Sequence, residues 1–201
     1  DELHGAQVSH CSPAGDMNAA LADHIAGKGL TDSTYLIPGG GSNATGALGY
    51  VNAAYEIVEQ SQAQSLAFSH VVHATGSAGT QAGLVAGFKA ANGSSPVLGV
   101  GVRAPKEKQE SNVFKLAQAT AAKLGNADLV ERSDVRADCG YIGEGYGLPA
   151  ASTIEAIRIV AEQEGILLDP VFFGKGMGGL IGPGRGGVLS SEPQGVLFHN
   201  G

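Results

Sequence analysis

Short apolar runs alternate with longer segments of helical periodicity along this chain. The runs are rich in Val, Leu, Ile and Ala, and polar residues do not alternate with the apolar ones. That pattern is typical of strands that are buried on both faces of a parallel sheet. It predicts strands at residues 35–37, 70–74, 97–102 and 196–198.

The longer segments carry apolar residues at the spacing of one helix face. Asp16 is suited to cap the first of these helices, which ends near Gly27. Further helices are predicted at residues 45–62, 81–91, 111–124 and 152–164. The glycine-rich segment 174–187 is predicted to be helical only near its start.

Strands that alternate with helices predict an α/β fold, an open and mostly parallel sheet with helices on both faces. Ligands bind such sheets at the carboxyl ends of the strands, and the glycine-rich loops of this chain fall at those ends. We expect residues 1–33 to be the end of a smaller domain. Residues 34–201 are expected to form the larger, ligand-binding portion.

The composition narrows the class of protein. Glycine accounts for 32 of 201 residues, about twice the usual share, without the repeat of collagen. The apolar fraction of 43% and the charged fraction of 15% argue against disorder. The formal net charge of −7 argues against a partner that is a nucleic acid.

Two isolated cysteines, Cys11 and Cys139, fit no metal-binding spacing and favour a reduced, cytoplasmic protein. No apolar run is long enough to span a membrane, and no signal peptide is recognisable. The chain starts at Asp1 and stops directly after a predicted strand. We therefore expect it to be part of a longer protein.

The strongest chemical signal is the loop between the predicted strand 70–74 and the next helix. It consists of small residues, three of which carry hydroxyls: Thr75, Gly76, Ser77, Ala78, Gly79 and Thr80. Small residues let successive amides point into one concavity, and the helix N-terminus adds partial positive charge. The loop therefore predicts a phosphate site, with a tight turn lacking any ligand as the alternative. Neither a Walker loop nor the G-x-G-x-x-G turn of nicotinamide-binding folds is present.

Two other loops allow two interpretations each. Residues 38–46 either cap the following helix or contact a ligand. Residues 143–149 place Tyr146 between glycines. Its hydroxyl would act as an acid or anchor a carboxylate if the loop lines a cleft, and would be incidental if the loop is a surface turn.

The basic residues of interest are interpreted as solvated. Arg103, Lys106 and Lys108 would favour an anionic substrate, but a solvated loop explains them as well. Lys175 stands at a predicted helix start, where a cation is electrostatically unfavourable and an anionic neighbour would explain it. We nevertheless expect its side chain to be solvated. The histidines show no ligand spacing, so no metal site is predicted.

Taken together, these segments resemble the D-cysteine desulfhydrase and 1-aminocyclopropane-1-carboxylate deaminase group of pyridoxal-phosphate enzymes, with particular likeness to the L-cysteate sulfo-lyases. The matching stretches cover nearly the whole chain and are residues 37–43, 46–50, 74–80, 102–109, 144–149 and 164–176. The resemblance implies the tryptophan synthase β-like fold (fold type II), of which this chain would be the C-terminal part of the large domain. It also implies pyridoxal 5'-phosphate as cofactor and a homodimer.

The resemblance assigns roles to individual residues. Backbone amides of residues 75–80 would hold the cofactor phosphate, in agreement with the reading from loop chemistry. Tyr146 would lie near the substrate and assist proton transfer or hold the amino acid. Asn200 would reach the nitrogen of the pyridine ring, where the family often has Thr.

The chain also departs from the family. The family's covalently bonding lysine lies in an Asn-Lys-x-Arg-Lys segment, which this sequence lacks. Phe172 and Phe173 stand where relatives tend to have Tyr and a polar residue. We therefore expect the isolated chain to have little or no activity.

Three functions follow from the resemblance. The first is a C–S lyase acting by β-elimination, which converts L-cysteate to pyruvate, sulfite and ammonia, or D-cysteine to pyruvate, sulfide and ammonia. The second is a deaminase of a cyclopropane amino acid, which the missing hydroxyl at Phe172 disfavours. The third is a catalytically inactive fragment that binds phosphate or the cofactor.

Overall fold

A computed structural model describes residues 2–10, 12, 15–186 and 195–197. The chain divides into two compact units, Asp1–Gly41 and Ser42–Gly201. The expected division into a smaller domain ending at residue 33 and a larger portion beyond it stays a prediction.

The first unit contains helix α1, Met17–Gly27. As predicted, Asp16 caps it, because its carboxylate accepts hydrogen bonds from the amides of Asn18 and Ala19 at 2.9 and 3.2 Å. The strand predicted at residues 35–37 is wrong. Tyr35 is 72% and Ile37 65% exposed, and neither forms a ladder with a described strand. A short apolar run becomes a strand only where another strand satisfies its backbone groups.

The second unit is built on a sheet of four strands in the order β3-β2-β1-β4. The strands are β1 His70–Thr75, β2 Val97–Gly101, β3 Arg136–Asp138 and β4 Gly195–Leu197. All three strand pairs are parallel, which confirms the predicted sheet. Strand β3 precedes the loop predicted at residues 143–149. With three residues it is too short to be recognised from its periodicity.

Helices cover both faces of this sheet, as predicted. They are α2 Leu48–Ala63, α3 Gly79–Ala90, α4 Lys106–Lys123, α5 Ala151–Glu164 and α6 Phe173–Gly186. The main core lies between β1, β2 and helices α2, α3 and α4, around residues such as Val71, Leu84 and Val113. On the other face α6 packs against β1 and β2, and α5 packs against α6. Every helix among the described residues is too short or too polar to span a bilayer.

Helix α4 begins earlier than the periodicity predicts. It starts at Lys106, directly after Pro105, and not at residue 111. Its first turn is charged and exposed, so the apolar periodicity becomes visible only further along. Lys106 and Lys108 therefore lie on a helix and not in a loop.

Helix α6 corrects the prediction for the glycine-rich segment, because it continues to Gly186. Each interior glycine costs up to about 1 kcal/mol of helix stability. The glycines allow the helix to approach the sheet closely. A Cβ at Gly176 would lie 3.0 Å from the Cβ of Ala74, and one at Gly179 would lie 2.6 Å from both γ-methyl groups of Val100. Close packing on the sheet therefore offsets the poor intrinsic propensity.

We predict that Gly179→Ala lowers the free energy of unfolding by about 1–3 kcal/mol, because the added methyl group overpacks the contact with Val100. Urea unfolding followed by circular dichroism measures the change.

Gly49→Ala in α2 is the matched control. Nothing lies within 4 Å of a Cβ at this position, so the better helix propensity should raise stability by about 0.5–1 kcal/mol. Equal effects of the two substitutions would contradict the close packing of α6 on β2.

His73 is a buried titratable residue in the middle of β1, 1% exposed. Its Nδ1 lies 2.8 Å from the carbonyl oxygen of Ala74. Its Nε2 has no hydrogen-bond partner among the described residues. Burial lowers the pKa of His73 to about 4, against a smaller opposing effect of the Ala74 hydrogen bond. The ring is therefore neutral at pH 7.

The lowered pKa predicts a loss of stability in mild acid. The unfolded chain binds a proton on His73 near pH 6.5 and the folded chain only near pH 4. Stability that is present above pH 6.5 is therefore lost as the pH falls towards 4. Between pH 7.5 and 5 this residue should lower the free energy of unfolding by about 2 kcal/mol.

Urea unfolding at several pH values tests this prediction. His73→Leu should remove that part of the pH dependence. His24→Leu, at an exposed position of α1, should keep it. An unchanged pH dependence in His73→Leu would show that His73 is not the group responsible.

Candidate active site

The carboxyl ends of β1 and β2 lie side by side and define the candidate site. Thr75, the last residue of β1, is in register with Gly101, the last residue of β2. The amide of Val102 donates a hydrogen bond of 3.0 Å to the carbonyl oxygen of Thr75. The chain that follows each strand therefore emerges at one edge of the sheet.

The loop between β1 and α3 forms a compact cradle of backbone amides, residues 76–79. Ala78 has a φ of 80° and a ψ of −18°, a left-handed conformation that is unusual for a residue with a side chain. Such a reversal lets neighbouring amides converge on one point. The amides of Gly76, Ser77 and Ala78 donate to no acceptor within the described part of the chain.

Ser42 holds this cradle from the neighbouring segment. Its hydroxyl accepts a hydrogen bond of 3.1 Å from the Gly79 amide and donates one of 2.7 Å to the Ser77 hydroxyl. Asn43 instead caps the turn before α2, because its side chain accepts from the Gly46 amide at 2.8 Å. Asn43 therefore caps the turn that leads into α2, and Ser42 contacts the predicted phosphate loop. Contact of the segment 38–46 with a ligand stays a prediction.

The two threonines of the predicted loop have different surroundings. Thr75 is 2% exposed, and its hydroxyl accepts a hydrogen bond of 3.0 Å from the buried side chain of Gln109. The Thr75 hydroxyl therefore already accepts a hydrogen bond from within the protein. Thr80 is half-buried in the first turn of α3 and has an interaction partner of its own. Asn200 lies outside the described residues.

Gly76 is enclosed by residues from two other elements. A Cβ at this position would lie 3.1 Å from Val102 and 3.3 Å from the ring of Phe172. Asp169 positions that ring, because its carboxylate accepts the amides of Val171, Phe172 and Phe173 at 2.8, 2.6 and 2.9 Å. Burial alone would raise the pKa of Asp169, but these hydrogen bonds outweigh it and lower the pKa.

Tyr146 lies in the loop between β3 and α5, and its side chain is 58% exposed. The guanidinium carbon of Arg103 lies 5.8 Å from the centroid of its ring, within the range of a cation–π contact. The ion pairs Lys89–Asp134 and Arg132–Glu110 do not involve Arg103. Arg103 therefore presents a charge without a carboxylate partner in the described part of the chain.

Lys175 is not solvated, and that prediction is wrong. Its side chain is 0% exposed. Its ammonium group donates hydrogen bonds of 2.7 Å to the carbonyl oxygens of Ile142 and Gly145. Burial lowers the pKa of Lys175. A cation at a helix start suggested an anionic neighbour. The structure shows two backbone carbonyl groups in that role, whose oxygens carry partial negative charge.

Comparison with known proteins agrees with this geometry. Residues 1–189 match the family described as "Pyridoxal-phosphate dependent enzyme". The chain belongs to this family. The predicted cofactor class, pyridoxal phosphate, is thereby confirmed.

Individual relatives confirm the predicted group within the family. The chain is 41% identical over 182 residues to a D-cysteine desulfhydrase of Serratia proteamaculans (strain 568). The aligned region spans 89% of this chain and 54% of that relative. The chain is 39% identical over 183 residues to a D-cysteine desulfhydrase of Salmonella typhi, covering 90% and 54%. The chain thus spans about half the length of the curated relatives it matches.

A solved structure confirms the fold. The structure described as "Crystal Structure Analysis of the ACC deaminase homologue" superposes with a TM-score of 0.83 at 31% identity. The superposed region spans 98% of this chain and 59% of the chain in that structure. The predicted α/β fold of the type II pyridoxal-phosphate enzymes is therefore correct.

The described residues fit the phosphate of this cofactor. Three amides without acceptors among the described residues lie in a loop whose left-handed turn precedes the N-terminus of a twelve-residue helix, and a phosphate is the ligand such a loop favours. The individual roles assigned to residues 75–80, Tyr146 and Asn200 stay predictions. The described part contains no group of three His, Cys, Asp or Glu side chains that could hold a metal ion.

We predict that Ala78→Val weakens the binding of pyridoxal phosphate about 10-fold, because a β-branched residue resists the left-handed conformation that the cradle requires. Titration of the chain with the cofactor, followed by absorbance, measures the dissociation constant.

Ala78→Gly is the control at the same position. Glycine adopts a positive φ without strain. The affinity of this variant for pyridoxal phosphate should therefore stay within about threefold of that of the unsubstituted chain. Equal affinities of the Val and Gly variants would contradict the role of the turn.

Proposed function

We propose that the protein is a C–S lyase that removes the sulfur substituent of a cysteine-like amino acid by β-elimination. D-Cysteine would yield pyruvate, sulfide and ammonium, and L-cysteate would yield pyruvate, sulfite and ammonium, each with uptake of one water. The observation that carries this proposal is the amide cradle beside Arg103 and Tyr146 at one sheet edge, in a chain about 40% identical to two D-cysteine desulfhydrases.

Each part of the site has a task in this reaction. When bound, pyridoxal phosphate would supply the electron sink that acidifies the α-proton of the amino acid. The amides of Gly76, Ser77 and Ala78 would hold its phosphate. The hydroxyl of Tyr146 would hold the amino acid or pass a proton to or from it.

Arg103 bears on the choice of substrate. Its planar guanidinium can bind a sulfonate or carboxylate through two hydrogen bonds. The described residues offer it only the face of Tyr146, so an anionic substituent on the substrate would supply the missing charge partner. This arrangement favours L-cysteate, whereas the names of the relatives favour D-cysteine.

Deamination of 1-aminocyclopropane-1-carboxylate is the second candidate, because the solved structure similar to this chain is described as an ACC deaminase homologue. Phe172 argues against it. Its ring packs against Gly76 at the cradle, and it offers no hydroxyl for opening the cyclopropane ring. The same missing hydroxyl supports the third candidate, a catalytically inactive protein that binds phosphate or the cofactor.

The assay uses the protein at its full natural length with added pyridoxal phosphate. We expect pyruvate together with sulfide from D-cysteine or together with sulfite from L-cysteate, and no 2-oxobutyrate from 1-aminocyclopropane-1-carboxylate. Arg103→Met should lower kcat/KM for L-cysteate about 100-fold, the loss of a bidentate charged contact. It should change kcat/KM for D-cysteine less than about fivefold.

Arg158→Met, at an exposed position of α5, is the control for the loss of one positive charge. It should leave both values unchanged. Release of 2-oxobutyrate without pyruvate would replace the lyase by the deaminase. Cofactor binding without any product would identify an inactive relative.

A further inference from the structure

Lys175 links helix α6 to the loop that carries Tyr146. The lysine projects from the first turn of α6, and its ammonium group binds the carbonyl oxygens on either side of residues 143 and 144. These carbonyls belong to Ile142 and Gly145, so the second one is in the residue directly before Tyr146. Two hydrogen bonds of 2.7 Å thus hold the segment in which Tyr146 is placed.

The base of this link is fixed by close packing. Gly174 and Gly176 stand on either side of the lysine in the sequence. A Cβ at Gly174 would lie 2.9 Å from the side chain of Ile157 in α5, and a Cβ at Gly176 would lie 3.0 Å from Ala74 in β1. The turn of α6 that carries Lys175 is therefore packed against both a helix and the central strand.

Packing also reaches this loop, since Tyr141 lies against Gly182 of α6 and Arg103 over Tyr146, but among the described residues its hydrogen bonds to a remote element come from Lys175. The loop's other hydrogen bonds in the described part are local, such as those from the amides of Gly140 to Asp138 and of Leu148 to Gly145. Gly143 and Gly147, on either side of Tyr146, have φ values of 69° and 87°. Those conformations are available to glycine because it lacks a side chain.

Lysine suits this task for a physical reason. Its ammonium group donates up to three hydrogen bonds and can satisfy two carbonyl oxygens at once. Removing it would leave these two partly buried carbonyl groups without a donor, a penalty that the loop would relieve by moving towards solvent.

We propose that Lys175 is a positioning residue, which holds the loop 142–145 and thereby fixes Tyr146 beside Arg103 at the sheet edge. This inference rests on the proposed function, since Tyr146 is assigned to the reaction there. Lys175 does not itself touch the substrate in this proposal, and it acts through Tyr146.

The first test follows the loop and needs no catalysis. Hydrogen exchange of the backbone amides of residues 143–148, measured by mass spectrometry, should become at least 10-fold faster in Lys175→Met. Exchange in α4 and affinity for pyridoxal phosphate should stay within about threefold. Lys115→Met, at an exposed position of α4, is the control and should leave the loop unchanged.

The second test asks whether Lys175 acts through Tyr146. In the full-length enzyme, Lys175→Met should lower kcat at least 10-fold. In a protein that already carries Tyr146→Phe, the same substitution should lower kcat less than about threefold, because residues that act as a unit are not additive. A residue with a general structural role would lower kcat equally in both backgrounds.

The outcomes separate the two proposals. Unchanged exchange in the loop, or equal losses of kcat in both backgrounds, would overturn the role of Lys175. Absence of lyase activity in the unsubstituted enzyme would overturn the proposed function, and the exchange experiment would still decide on Lys175. If Lys175→Met does not fold, Lys175→Gln, which keeps a donor, should give the same acceleration to a smaller extent, and no acceleration would count against the proposal.

Discussion

The hydrogen bond from the Val102 amide to the Thr75 carbonyl marks the point on which the site depends. It extends the pairing of β1 and β2 one residue beyond Gly101, and it aligns the ends of two parallel strands at one edge. Beyond it one strand continues into the amide cradle and the other into Arg103. A shift of one residue in this register would turn the side chains of one strand to the opposite face and separate these groups. The site is thus a consequence of strand register.

Close packing through glycine is the second constraint, and it acts on both faces of the sheet. On one face, α6 approaches β1 and β2 at Gly176 and Gly179. On the other, Gly87 brings α3 against α2, where a Cβ would lie 2.6 Å from the Cβ of Ala54. Helices at such short distances cannot shift without clashes, because packed interiors deform little. That rigidity gives Lys175 and Ala78 fixed positions from which to support the site.

The candidate site is locally positive, whereas the chain as a whole carries a net negative charge. The protein carries a formal charge of −7, yet the sheet edge combines free amides, the N-terminus of α3 and the guanidinium of Arg103. The first turn of α4 carries Lys106, Glu107 and Lys108, a net positive charge that is unfavourable for the helix itself. A cost of this kind is expected where a protein attracts an anionic group such as the phosphate of the cofactor.

The sequence alone determined the type of helices α1 to α5, the parallel sheet and the small-residue loop after β1, because these depend on local periodicity and on small residues directly after a buried strand. It also contained the motifs that identify the family. Tertiary structure decided what local patterns do not encode. The run at 35–37 finds no neighbouring strand among the described residues. Helix α6 stays helical because the sheet packs against its glycines. Lys175 is buried because two carbonyl groups from a loop remote in the sequence receive its ammonium group. In each case the deciding partner is remote in the sequence, so the pattern around the residue carries no record of it.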